Sequence, residues 1–206
     1  MSAGIAGQFR SRAAEADAAR FGLWIFLATE VLFFGPLFMG YVYGRMHLGD
    51  AFAAASRHTD VTIGTLNTAV LLTSSFTMAM AAEARRAGAR AARGLLAATA
   101  LLGCAFLALK GFEYHAEWRE HLVPGASFAF DAAHARGAEI FYYLYFAMTG
   151  VHAVHLTVGI AIVIGFAVRF DRANAGHVEI AGLYWHFVDA IWIFLYPMLY
   201  LVGRAG

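Results

Sequence analysis

The stretch FGLWIFLATEVLFFGPLFMGYVY, residues 21–43, is apolar over more than twenty consecutive positions, with one acid, Glu30, near its middle. A helix that crosses the hydrocarbon of a bilayer needs roughly 20 mainly apolar residues, and a helix satisfies its own backbone hydrogen bonds there. Four further windows read the same way: residues 61–82, 95–114, 138–168 and 178–202. They are far longer than a barrel strand and do not alternate, which excludes a β-barrel. The fold expected is all-α, an integral membrane bundle of five transmembrane helices over residues 21–206. Residues 1–20 form a polar N-terminal arm that lacks an apolar signal core and is read as cytoplasmic.

Composition agrees. The chain has 206 residues, 61% hydrophobic and 14% charged, against nearly half and a quarter in soluble domains. The net charge is +1, so no electrostatic case exists for nucleic acid. The lone Cys104 rules out an internal disulfide and is expected as a small core residue. Residues 44–60, 83–94, 115–137 and 169–177 are polar connections. Arginine counts on the two sides are nine and five, which predicts a cytoplasmic N-terminus and an outside C-terminus in a bacterial-type plasma membrane.

The informative residues are polar groups at bilayer depth, where each is costly and must face another helix, a headgroup or water. Glu30 fits a proton-handling carboxyl or a neutral acid bonded to a neighbouring helix. Pro36, six residues on, should kink that helix or free a carbonyl. His152 and His155 are three apart and share a helical face, so they fit either a metal pair or two interhelical hydrogen-bonding groups. Glu30 and His186 are the obvious helpers for a metal. His186 and Asp189 repeat the spacing of three and fit a structural pair or a proton relay. Lys110 and Glu113, in ALKGFEYHAEWREH (residues 108–121), read as a snorkelling ion pair near the outer interface. Glu113, His115, Glu117, Glu120 and His121 are dense enough for a cation site, although a solvated helix end explains them as well. Asn67, Thr68, Thr73, Ser74, Ser75 and Thr77 let the second span approach its neighbours closely. Trp185, Trp192, Tyr196 and Tyr200 suggest packing and interfacial anchoring. Phosphate-binding glycine loops, a GxSxG elbow and repeated histidine boxes are missing, so no catalytic residue is assigned.

These residues stand in motifs that together resemble subunit III of the heme-copper oxidases. The resemblance runs through FGLWIFLATEVLFF (21–34), LNTAVLLTSS (66–75), LKGFEYHAEW (109–118), GVHAVHLTVG (150–159) and YWHFVDAIWIFLYPMLYL (184–201), the last being the most specific. It implies a bundle bound mainly to oxidase subunit I, with subunit II and other small subunits nearby. Heme and copper would lie in those partners, with none in this chain. Glu30 matches the family's carbodiimide-reactive carboxyl. Glu113, His152, His155, His186 and Asp189 fall on its interior polar and lipid-contacting positions. The match begins at what would be the third helix of a seven-helix member, so a phospholipid in the family's inner cleft would need another wall. The implied role is a metal-free subunit of a proton-pumping cytochrome c oxidase, within an oxidoreductase complex but without its own catalytic centre. Three alternatives stay open: subunit III of a quinol oxidase, the related nitric oxide reductase accessory protein, and a stand-alone transporter or proton channel using Glu30, His186 and Asp189. A membrane metalloenzyme on His152 and His155 is a further class.

Overall fold

A computed structural model describes residues 12–170 and 174–204. Five helices are long and apolar enough to cross a membrane, and no strand occurs among the described residues. Helix α1 spans Arg12–His47, so it begins well before Phe21. The part of the expected arm before Arg12, including the segment read as not being a signal peptide, lies outside the described residues. Pro36 sits inside α1, where its missing N–H leaves the carbonyl one turn earlier without a helical partner.

Helix α2, Gly49–His58, occupies much of what the sequence suggests is a plain connection. Its Ala51, Phe52, Ala55 and Ser56 are buried, a stripe at helical spacing that a short, mixed segment hides from a window tuned to spans. Helix α3, Val61–Arg86, starts at Asp60, whose side chain accepts from the N–H groups of Thr62 and Ile63. A tight turn with Gly88 in the left-handed region returns the chain into α4, Ala91–Arg119. Helix α5 covers Ala135–Val168 and α6 covers Ala175–Tyr196, the latter capped by Asn174. The expected last span does not stay α-helical. From Pro197 it widens into a π segment, Pro197–Leu201, and tightens into a 3₁₀ turn, Val202–Arg204.

Helices α3, α4, α5 and α6 form a closed packing ring, and α1 leans on α5 and α6 from outside. Trp185 of α6 shows how the ring closes. Its indole lies against Gly103 of α4 and Gly159 of α5, where a Cβ would meet ring atoms at 2.9 and 3.2 Å. Its Nε1–H donates to Ser74 Oγ of α3 at 3.2 Å. Small residues at these positions let the backbones approach, as expected in a membrane interior. Trp192 Nε1–H donates to Thr68 Oγ1 at 3.0 Å, and the Thr77 and Thr99 hydroxyls pair at 2.8 Å. Cys104 is exposed on the outer face of α4, contrary to the core position expected. The buried stripe of that helix passes through Ala100, Gly103 and Phe106, and Cys104 falls just beside it.

Helix α2 and the C-terminal turn lock together. Arg204 donates to the carbonyls of Ser56, Arg57, Thr59 and Tyr200 at 2.6–2.8 Å. Ser56 Oγ donates to Leu199 O at 2.9 Å, and Arg57 donates to Gly203 O at 3.1 Å. Tyr41 of α1 donates to Met198 O. A π segment leaves carbonyls without ordinary helical partners, and these side chains supply donors for them.

Candidate functional site

Helix α4 carries Phe106, Lys110, Glu113 and Glu117 on its buried face. Helix α5 carries Tyr142, Tyr145, Thr149 and His152 on its own. Steps of three and four keep each set on one stripe. Where the stripes face each other, Lys110 Nζ donates to Glu113 Oε2 at 3.0 Å and to the hydroxyls of Tyr145 and Tyr200 at 2.6 Å each. Both hydroxyls donate onward to Glu113 Oε1, at 2.9 and 2.6 Å. All three ammonium protons and both carboxylate oxygens therefore have partners. Tyr200 reaches this ring from the π segment at the end of α6.

The Lys110–Glu113 pair forms as the sequence suggests, but it does not snorkel: both side chains are only 3% exposed. The apolar wall of α5 and α6 closes over Lys110, and two tyrosines replace the water that an interfacial lysine would find. Glu117 is also buried, and neither of its carboxylate oxygens makes a hydrogen bond of ordinary geometry. His115, Glu120 and His121 are exposed. The acidic crowd thus divides into an inner and a solvent-facing part instead of forming one cation site. Among the described residues, no group of three or more His, Cys, Asp or Glu side chains could hold a metal ion.

The two histidines of α5 part company. His155 Nε2 stands 2.8 Å from Glu30 Oε2 of α1. Its Nδ1 lies 2.8 Å from the Val151 carbonyl, which can only accept. Nδ1 therefore carries a proton, and the Glu30 contact needs one more proton shared between carboxyl and imidazole. That contact is close but poorly aligned for a directed hydrogen bond. His152 is fully buried between Phe106 and Trp192, ring centroids 5.4 and 5.1 Å away, and neither ring nitrogen has a partner. A shared metal would require both rings to converge, and they do not.

His186 and Asp189 lie on α6, but they do not form an ion pair with each other. His186 Nδ1 is 2.7 Å from Ser75 Oγ of α3. Ser75 also comes within reach of the Asp189 carboxylate, although neither acid oxygen forms a well-aligned hydrogen bond. The sequence marks Ser75 only as a packing residue. It does not draw attention to Tyr142 and Tyr145 at all, although their helical spacing to Thr149 and His152 is a usable signal.

At the opposite end of the bundle, Glu179 of α6 bridges Arg20 of α1 and Arg86 of α3 at 3.1 and 3.0 Å. Among the described residues, neither end holds a nucleophile with its base.

A multi-pass helical membrane protein with a closed, fully partnered polar ring is what these observations define. The family model for cytochrome c oxidase subunit III matches residues 3–204, and the chain belongs to that family, subunit III of the heme-copper oxidases. Similar proteins include cytochrome c oxidase subunit 3 of Thermostichus vulcanus, 31% identical over 89% of this chain and 87% of that one. Quinol oxidase subunit 3 of Bacillus spizizenii is 30% identical over 90% of this chain and 87% of its own length. A heme-copper oxidase subunit I+III of Aeropyrum pernix is 27% identical over 90% of this chain, which covers 23% of that longer protein. Family membership implies association with an oxidase core.

Proposed function

We propose that this chain is the non-catalytic subunit III of a proton-pumping cytochrome c oxidase in a bacterial plasma membrane, N-terminus inside. It binds subunit I, with subunit II and small subunits adjacent, and it carries no heme or copper itself. The observation that carries this reading is the placement of its ionisable groups. Glu117, His152 and Asp189 are buried without well-aligned partners, whereas Lys110 and Glu113 are spent on each other and on two tyrosines, Glu30 on His155, and His186 on Ser75. Such pairing suits a shield and support for a neighbouring catalytic subunit better than an open conduit. Helix α1 supports it too. Phe21, Trp24, Leu32, Met39 and Met46 are largely exposed along a helix that touches its own bundle on one side. In the Aeropyrum pernix relative, subunits I and III are one polypeptide by name, which fits such a helix lying beside subunit I. Within this reading Glu113, His152, His155, His186 and Asp189 are interior polar or lipid-contacting positions, and Glu30 is the proton-related carboxyl.

Relatives named for both donors match this chain equally well, so the second reading is the same position in a quinol oxidase. Purification of the assembly separates them. Co-purification with heme and a subunit II bearing a copper-binding domain supports cytochrome c; a subunit II without one supports quinol. Isolation as a homo-oligomer free of heme overturns both and favours a transporter. Glu30→Ala should leave the heme spectrum intact and hasten turnover-dependent inactivation; loss of heme counts against the assigned role.

A further inference from the structure

Helix α4 carries a second face that the interior network does not use. Arg93, Ala97, Ala100, Leu101 and Cys104 follow one another at steps of one, three or four and line an open groove of about 390 Å³ against Ile164, Ala167 and Val168 of α5. The volume lies in the range of small-ligand sites, about 300–1,000 Å³. All of its walls are apolar except at one end, where Arg93 stands exposed and forms no ion pair among the described residues. Arg93 also sits in the first turn of α4, the positive end of that helix. At 1.5 Å per residue, Arg93 to Cys104 spans about 16 Å. That is half of the ~30 Å hydrocarbon layer, the depth of one leaflet.

We propose that this groove is a binding site for an anionic phospholipid, one acyl chain lying along Ala97, Ala100 and Cys104 and the phosphate on Arg93. Charge selects the occupant. A guanidinium with no ion pair among the described residues offers two parallel N–H donors that match a phosphate, and basic pockets between membrane helices take anionic headgroups. The small side chains Ala97 and Ala100 open the channel, and Leu101 and Ile164 form its rims. This site is on the α4–α5 face, away from α1, and it does not depend on which electron donor the assembly uses.

Cys104 is the chain's single cysteine, so its modification by a small maleimide, read as a mass shift of this chain, reports the groove directly. The purified assembly, stripped of lipid by detergent, should label readily at Cys104. Adding back phosphatidylglycerol vesicles should slow labelling at least fivefold, while phosphatidylcholine vesicles or inorganic phosphate leave it unchanged. Arg93→Gln should abolish that protection and Arg93→Lys should retain most of it. Native mass spectrometry should show one fewer retained phosphatidylglycerol in Arg93→Gln. Equal protection by phosphatidylcholine, or protection unaltered in Arg93→Gln, overturns the proposal. So does a Cys104 that stays unreactive after stripping, because a protein partner then covers the groove.

Discussion

Helices α1 and α6 are both long and apolar, one with a proline inside it and the other ending at one, yet they hold opposite places in the molecule. In the most apolar window of α1, 11% of residues are buried, against 44% in that of α6. Helix α6 and the π segment that follows it present Trp185, Trp192 and Tyr200 to the neighbouring helices, and each of the three is hydrogen-bonded there. Helix α1 reaches the bundle through a few polar side chains, Arg20, Glu30, Tyr41 and Arg45, and turns most of its large apolar side chains outward. In lipid the hydrophobic effect does not pull helices together, because acyl chains are as apolar as leucine. What separates the two helices is therefore where polar groups and small residues fall. By that criterion α6 is structural core, and α1 is the peripheral helix, the one proposed above to lie beside subunit I.

The largest effect is expected from removing charge from the ring that Tyr200 of the π segment completes. Lys110→Met leaves Glu113 buried without its cation and should cost about 3–5 kcal/mol, read as a large drop in thermal stability in detergent. The double change Lys110→Met with Glu113→Leu should recover most of that loss. A double variant no better than the single one would show that the pair is not the unit. Next in size is Gly203→Ala. The added Cβ would come within 2.5 Å of the Ala53 carbonyl, so the lock between α2 and the C-terminus must shift, at about 1–3 kcal/mol. Protease cleavage near the C-terminus should rise accordingly.

Smaller effects test the α1 side. Glu30→Gln should change stability by about 0.6 kcal/mol, the average for an interhelical polar contact in a membrane, measured by thermal melting. Leu32→Ser, on the outward face, should leave the chain's own stability within about 0.5 kcal/mol while lowering its retention in the assembly on a sizing column. An equal loss of chain stability would move α1 into the core. The least effect belongs to the loop before α5. There, His134 beside Asp131 is the main reason this carboxylate is held below its ordinary 3.8, helped by the Ala133 backbone. A depressed acid stabilises the fold above its unfolded value and loses that contribution as pH falls through the folded one. Loop order should therefore weaken only below about pH 4, and Asp131→Asn should remove the dependence in hydrogen exchange.

All five spans are legible in the amino-acid sequence, because bilayer thickness writes itself as runs of apolar residues. The polar groups at depth are legible too, since each is conspicuous in such a run. Their partners are not. His152 and His155 look like a pair in sequence, but three residues fall short of a full turn, and the remaining rotation of about 60° lets them face an aromatic box and Glu30 respectively. Lys110 looks interfacial because the sequence places it near charged residues, whereas its depth depends on two tyrosines from other helices. Helix α2 stays hidden because its apolar stripe is short.

Membrane class, five apolar crossings and the positions of costly polar groups follow from the order of residues, because length and transfer free energy alone write them. Packing in three dimensions was needed to show that Lys110, Glu113, Tyr145 and Tyr200 close a ring, that Ser75 holds His186, and that Arg204 locks the C-terminal turn to α2. Those are contacts between residues far apart in the chain, and helical periodicity carries no information about which neighbouring helix a given face will meet.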